Sequence, residues 1–329
     1  MKRLMMKTLV AAAALAAFGL ASAQEVREHT IQFATQNPKG HPIMDGMEKF
    51  AEIVTAKSAG KIKVNLFPAG VLGGDAPNVS AVQGGTLEMV VLNSGILASV
   101  AKEMTVLDFP FLFANAKEAD TIVDGPVGRK LHAKLEEKGI VGLSFWELGF
   151  RQMTNSRRPL TKVDEIAGLK LRVIPNPINL DWVKALDANP TPMAFGEVYG
   201  AMESKAIDGQ ENPLNVILAN KFAEVQKHLT VSNHVYSPLV VAMNKAKFDS
   251  LPANYQKVIV DAAREAATYQ RNLNAQNASK VIADLKKSGM QVIENVDMAP
   301  FQKIVSGEIA KTFAEKNGPG LMTAIEAVK

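Results

Sequence analysis

The chain has 329 residues, 47% of them hydrophobic, with 37 lysines and arginines against 33 aspartates and glutamates, a formal net charge of +4 and no cysteine. That length suffices for two domains of ordinary size. The missing cysteines exclude disulfides, cysteine–zinc sites and a cysteine nucleophile, and the lack of any basic block argues against a nucleic-acid partner.

Lys2, Arg3 and Lys7 form a basic start, residues 8–21 an apolar stretch, and Ala21-Ser22-Ala23 a small-residue cleavage pattern. Together they read as a signal peptide over 1–23, with the secreted chain starting at Gln24. The apolar stretch is short of the roughly 20 residues that span a bilayer. Of the 329 residues, 23 lie before the cleavage point and 306 after it; losing three positive charges and no negative ones lowers +4 to +1. A soluble periplasmic protein is expected, not membrane-spanning once the signal is removed.

HTIQFAT (29–35) is predicted to be a strand. Pro42 to Ser58 is predicted helical, because Ile43, Met47, Phe50 and Val54 recur at three- and four-residue steps. KIKVNLF (61–67) alternates as a strand, PAGVLGGDAP (68–77) is a loop, and a short helix and the strand LEMVVLN (87–93) follow. This β-α-β-α-β order is that of an α/β fold. One long amphipathic helix is predicted over about 116–138, then strands at 140–150 and 169–174, helices at 177–187 and 196–205, and one or two strands over 228–244. Residues 253–287 contain neither glycine nor proline. Without those breakers they are expected to form one helix, on the order of 50 Å long at 1.5 Å per residue, reaching across two domains; the alternative is two helices with a break in the Asn-rich stretch around Asn272–Asn277.

Catalytic signatures are missing. There is no phosphate-cradling loop, no GxGxxG after a strand, no GxSxG and no HExxH, and the five histidines lack metal-ligand spacing. Asp164-Glu165 precede a helical turn and suit capping. No catalytic residue, metal or cofactor is expected.

Three polar groups stand out. In WELGFRQMTN (146–155), Arg151 follows a buried strand and Glu147 lies four residues earlier; the two could pair and tie loops together, or Arg151 could meet an anion. In GLKLRVIPNP (168–177), Arg172 shares a strand face with Lys170, where it is either solvated or holds an anion at a cleft mouth through paired hydrogen bonds. In AIDGQENPLN (206–215), the Asp-Gly turn and Pro213 place Gln210, Glu211 and Asn212 on a loop, with Asn212 free to bind a polar ligand. Gln36, Asn37 and His41 after the first strand, Asn93 and Ser94 after the third, and Phe195 as a flat wall are lesser candidates.

GFRQMTNSRRPL (149–160), GLKLRV (168–173), NPTPMAFGEVYGAM (189–202) and AIDGQENPL (206–214) occur in an order and at a spacing that resemble the extracytoplasmic solute-binding proteins of TRAP transporters, the DctP type. The resemblance covers essentially the whole secreted chain. It implies two α/β domains joined by crossing strands, a long helix spanning both, and a ligand in the interdomain cleft. The expected division is 24–148 plus about 237–276 for domain I, and 149–236 plus about 277–329 for domain II. The resemblance assigns Arg172 the main salt bridge to a ligand carboxylate, with Arg151, Asn212 and Phe195 beside it, and Gln36 and Asn93 as ligand-specific contacts. Glu147 and His41, with Gln36 and Asn93, would suit hydroxyl groups. The implied function is a periplasmic receptor that delivers a small organic acid to TRAP permease subunits. A sugar acid such as glucuronate or galacturonate is the leading ligand, and a C4-dicarboxylate or small 2-keto or 2-hydroxy acid the alternative. A periplasmic enzyme acting on such an acid is the rival of a different class.

Overall fold

A computed structural model describes residues 28–326. The expected signal peptide, 1–23, lies outside the described residues. The first third follows the predicted alternation: β1 (His29–Ala34), α1 (Pro42–Lys57), β2 (Ile62–Phe67), α2 (Asp75–Gly84) and β3 (Met89–Asn93). The α1 stripe of Ile43, Met47, Phe50 and Val54 is fully buried, as its period requires.

The helix predicted over 116–138 is instead two, α3 (Ala116–Val123) and α4 (Pro126–Glu136). Pro126 has no N–H, and its ring would clash inside a helix; its fixed φ suits the first turn of a new one. β4 (Ile140–Asn155) continues through Arg151 to Asn155 rather than stopping at Phe150. Glu165 caps the turn that follows, accepting from the backbone N–H groups of Thr161 and Lys162. Then come β5 (Lys170–Val173), α5 (Pro177–Ala185), β6 (Asn189–Pro192) and α6 (Val198–Glu203).

Gln210, Glu211 and Asn212, expected on a loop, form the middle of β7 (Gly209–Pro213), and every residue of that strand is buried. Pro213 excludes a helix but not a strand end, and pairing with β4 on one side and β5 on the other satisfies the backbone. α7 (Leu214–Ala219), β8 (His228–Asn244) and α8 (Lys245–Asp249) follow. β8 is one continuous strand of 17 residues. α9 (Ala253–Lys287) is one helix of 35 residues, as the absence of breakers predicts. β9 (Gln291–Ile293) and short helices between 299 and 326 complete the chain.

Among the described residues all nine strands share one sheet, in the order β2-β1-β3-β8-β4-β7-β5-β6, with β9 on β8. β1, β2 and β3 run parallel to one another, as do β5, β6 and β7. β3 is antiparallel to β8, β8 to β4, and β4 to β7. The two parallel groups therefore run in opposite directions. β3 ends at Asn93, level with Leu239 of β8 and so with Trp146 of β4. β7 ends at Pro213, level with Arg151. The carboxyl ends of both groups thus converge on residues 147–150 of β4 from opposite sides. A register shift falls there, between Glu147 and Gly149, and Gly149 supplies the required φ of +116°.

α9 belongs to two cores. Ile259, Ala263 and Ala266 pack with α1, Trp146 and the β1–β3 group. Val281 and Leu285 pack with Ile217, Val198 and Leu229 near the other group. Hydrogen bonds fix its middle to β4: the carbonyl of Ala263 accepts from Ser144 Oγ and Trp146 Nε1, both at 3.0 Å. Gln270 bonds both the N–H and the carbonyl of Glu147, at 3.0 and 2.7 Å. A Cβ on Gly46 would lie 2.8 Å from the Trp146 ring, so α1 needs glycine to seat against this brace.

Candidate ligand-binding site

A cavity of about 50 Å³ opens where the two strand groups converge, several times the ~10–15 Å³ that one water needs. Ligands of open α/β sheets bind beyond the carboxyl ends of strands, and here two sets of such ends face one cavity. Gln36 and Asn37 reach it from the end of β1, Asn93 and Ile96 from the end of β3, and Asp75 from the first position of α2. Arg151 reaches it from β4, Arg172 and Ile174 from β5 and its exit, Asn212 from β7, and Phe195 from the loop before α6. Leu148, Leu239 and Val216 add apolar surface.

The two arginines are both 2% exposed but differ in their partners. Arg151 is saturated. Its Nε and Nη2 pair with the Glu211 carboxylate, Nη2 also donates to the Glu211 carbonyl and to Asn212 Oδ1 at 3.2 Å, and Nη1 donates to Ser237 at 3.1 Å. Burial alone would raise the Glu211 pKa, but the Arg151 charge and the neighbouring His234 outweigh it and hold the carboxyl well below its usual range. The ion pair considered for Glu147 and Arg151 does not form; β7 brings Glu211 to Arg151 instead.

Arg172 has no ion pair among the described residues. Its Nε and Nη2 donate to the carbonyl of Met193, at 3.2 and 2.9 Å, and its Nη1 makes no protein hydrogen bond among them. The Phe195 ring lies 5.9 Å from the guanidinium carbon, within the range of a cation–π contact. Burial lowers the Arg172 pKa to about 10, so the group stays cationic at neutral pH. A buried guanidinium with one free edge on a cavity is a site for an anion, since buried charge calls for a partner.

Asn212 is held on both sides, accepting from Arg151 and donating to Gln210, which in turn bonds Thr154. Gln36 donates to the Gly73 carbonyl at 2.8 Å. Asp75 was not anticipated from the sequence. It is half-buried, and burial pushes its carboxyl up to about 6 against the opposing pull of Arg172. The signal for it was present in Gly73-Gly74-Asp75, a small-residue approach to a helix start.

Two of the predicted residues stand outside the cavity. His41 is buried and caps α1, its Nδ1 accepting from the Ile43 N–H at 3.1 Å; burial drops its pKa to about 3. Glu147 leaves the register shift toward α9, where Asn274 bonds it, and burial with nearby Asp120 raises it to about 7. The other six, Arg172, Arg151, Asn212, Phe195, Asn93 and Gln36, all line the cavity.

The family model for bacterial extracellular solute-binding protein, family 7, matches residues 33–316. The 2,3-diketo-L-gulonate-binding periplasmic protein of Escherichia coli K12 is 37% identical over 319 residues, covering 96% of both chains. A TRAP periplasmic solute-binding protein from Polaromonas sp. JS666, solved with D-erythronate, is 38% identical, with a TM-score of 0.89 over 92% of this chain and 99% of that one. The sugar-acid-binding protein of Advenella mimigardefordensis, solved with galactonate, is also 38% identical, with a TM-score of 0.88 over the same shares.

Proposed function

The chain belongs to the bacterial extracellular solute-binding protein family 7, and from that premise we propose that its cavity captures a sugar acid, an aldonate or uronate, through Arg172. The protein is a periplasmic receptor that works with TRAP permease subunits. No helix among the described residues is long and apolar enough to cross a membrane. The observation that carries the ligand reading is the contrast between the arginines. Arg151 is neutralised by Glu211, so Arg172 is left as the cation whose charge is free for one carboxylate. The amides of Asn93, Gln36 and Asn37 and the carboxylate of Asp75 on the opposite wall suit hydroxyl groups, which both donate and accept. A second carboxylate would meet Asp75 there, which places the C4-dicarboxylates second. The relatives found with D-erythronate, galactonate and 2,3-diketo-L-gulonate support the same choice.

The receptor reading extends to motion. On this reading the expected halves, 24–148 plus about 237–276 and 149–236 plus about 277–329, turn about β4, β8 and the middle of α9. A ligand touching both walls favours closure by its extra contacts in the closed state. On this reading the chain acts without turnover, which is supported by the ion pair of Glu211 with Arg151 and by His234 lying 3.4 Å from that same carboxylate.

The test is a thermal-shift panel on protein unfolded and refolded to strip carried ligand, using aldonates, uronates, C4-dicarboxylates, and 2-keto and 2-hydroxy acids. A ligand of the native state raises the midpoint by mass action. The largest shift is expected with a sugar acid. A shift with succinate or malate and none with any sugar acid would replace the ligand class, and conversion of the acid followed by NMR would replace the receptor with an enzyme.

A further inference from the structure

Beside the cavity, the two strand groups also meet along a seam that no crossing strand bridges. On one side β3 runs on into the turn Ser94–Ser99, and a second turn, Lys102–Asp108, brings Asp108 back against it. A Cβ on Gly95 would fall 1.9 Å from Asp108 Oδ2. On the other side β5 exits into Asn176, the N-cap of α5. Asn176 Nδ2 crosses the seam and donates to the Gly95 carbonyl and to Asp108 Oδ2, both at 3.2 Å, and Asn179 Nδ2 donates to the same carboxyl oxygen at 3.1 Å. Neither amide is free to turn over. Asn176 Oδ1 accepts from the Ile178 N–H and Asn179 Oδ1 from Trp182 Nε1, so each presents its NH2 to Asp108.

Asp108 is 2% exposed and has no ion pair among the described residues. Both amides reach Oδ2, while Oδ1 has no partner among those residues. That pairing suits a neutral acid, whose carbonyl oxygen accepts twice. A carboxylate carries charge on both oxygens, and burying it unpaired costs more than leaving one hydroxyl unsatisfied. The charges that act on the group are Arg151 of β4, which favours ionisation, and Glu211 of β7, which opposes it, and those two pair with each other. His234 of β8 lies against Trp182, ring centroids 5.1 Å apart, and burial lowers its own pKa. Asp181 of α5 pairs with Lys316, and Lys102 and Glu103 of the Asp108 turn reach solvent. Burial prevails and holds the carboxyl up at about 6.

Resting on the receptor reading above and its two halves, we propose that Asp108 is a proton-linked latch: closure over the sugar acid seals its carboxyl under Asn176 and Asn179, and capture takes up a proton from solution. Opening the seam parts Asp108 from α5 and admits water, while the Gly95 turn stays beside it. The open form therefore holds the proton less firmly than the closed form and more firmly than an unfolded chain. Binding is strengthened in acid, and that gain is lost as pH rises through about 6.

The test is isothermal titration of the wild type and Asp108→Asn with D-galactonate and D-erythronate, from pH 5 to 8, in buffers of different ionisation enthalpy. Asparagine keeps the shape and an acceptor for the two amides but cannot take up the proton. Protonation of the ligand, and of Asp75 and Glu147, is common to both proteins and cancels in the difference. The wild type is expected to bind at least roughly threefold more tightly at pH 5 than at pH 8 relative to the variant, and to take up about half a proton more per ligand near pH 5.5. If Asp108→Asn does not fold, Asn179→Ala carries the test: it withdraws a donor that favours the ionised form, so the fall in affinity should move to higher pH. Equal proton uptake in wild type and Asp108→Asn, or an unmoved fall in Asn179→Ala, overturns the latch and leaves the sugar-acid receptor standing. Failure of the wild type to bind either acid at any pH overturns both.

Discussion

Arg172 and Arg151 are equally buried on one cavity, and only their partners separate their roles. A desolvated charge without a counter-ion weighs against the fold. Arg172→Met, which keeps the stem and removes the charge, is therefore expected to abolish detectable binding while the thermal midpoint holds or rises, a trade of stability against function. Binding within a few-fold of wild type would remove Arg172 as the anion clamp. Glu211→Gln leaves Arg151 buried without its counter-charge, and a loss of roughly 3 kcal/mol in urea unfolding is expected. An unchanged urea midpoint would mean that Arg151 finds compensation elsewhere. Asp108 gives a pH dependence. Burial pushes it up to about 6 from its ordinary 3.8, although Asn176 and Asn179 donate to it. The folded chain then holds the proton more firmly than the unfolded chain between those values. Stability from this group is full below about 4 and is lost as pH rises through 6. Relative to Asp108→Asn, the wild type should lose up to about 3 kcal/mol between pH 4 and 8; parallel pH profiles of the two proteins would contradict this.

At the scale of elements, β7 is the piece on which the cationic wall depends. It carries Glu211 to Arg151 and sets Asn212 on the cavity, and it does so only because Gly209 lets it approach β4. A Cβ on Gly209 would lie 2.1 Å from the Thr154 carbonyl oxygen, a backbone atom that cannot swing aside. Gly209→Ala is expected to cost about 3 kcal/mol in urea unfolding, the upper end of the usual overpacking range, and to weaken ligand binding with it. A variant with wild-type stability would show that the β4–β7 pairing is looser than its register implies. α9 acts differently, as a brace. Gln270 grips the backbone of Glu147 beside the register shift of β4, so the helix and the crossing strand are tied together at that shift.

For the whole molecule, the opposed strand groups explain why the cavity has Arg172 on one wall and Asp75 with the amides of Gln36 and Asn93 on the other. Each group contributes its own strand ends, and the proposed ligand would touch both. Saturating sugar acid is expected to lower the radius of gyration in small-angle scattering, whereas Arg172→Met should show no change on the same addition. Equal curves with and without ligand in the wild type, at concentrations where calorimetry shows saturation, would rule out closure as the response to binding.

That 253–287 is one unbroken helix was decided by the tertiary structure, but the sequence by itself determined the α/β alternation, the stripe that seats α1, the helical character of 253–287 and the candidacy of Arg172. These rest on local periodicity, on the presence or absence of glycine and proline, and on short motifs, all carried by neighbouring residues. The break at Pro126 was legible by the same rules but was overridden by the amphipathic pattern on either side of it. Only the tertiary structure decided which charges meet. Glu147 is four residues from Arg151, yet the register shift turns it to α9, while Glu211, sixty residues away, arrives on the adjacent strand. His41 follows β1 closely, but its ring serves as a helix cap. Asp75 enters the cavity because α2 begins there; Gly73-Gly74-Asp75 marks a helix start, but only the fold sets that start on the cavity. The polar run Gln210–Asn212 resembles a loop until two neighbouring strands satisfy its backbone. Those outcomes depend on long-range pairing and on the exchange of water for buried partners, which a linear pattern does not encode.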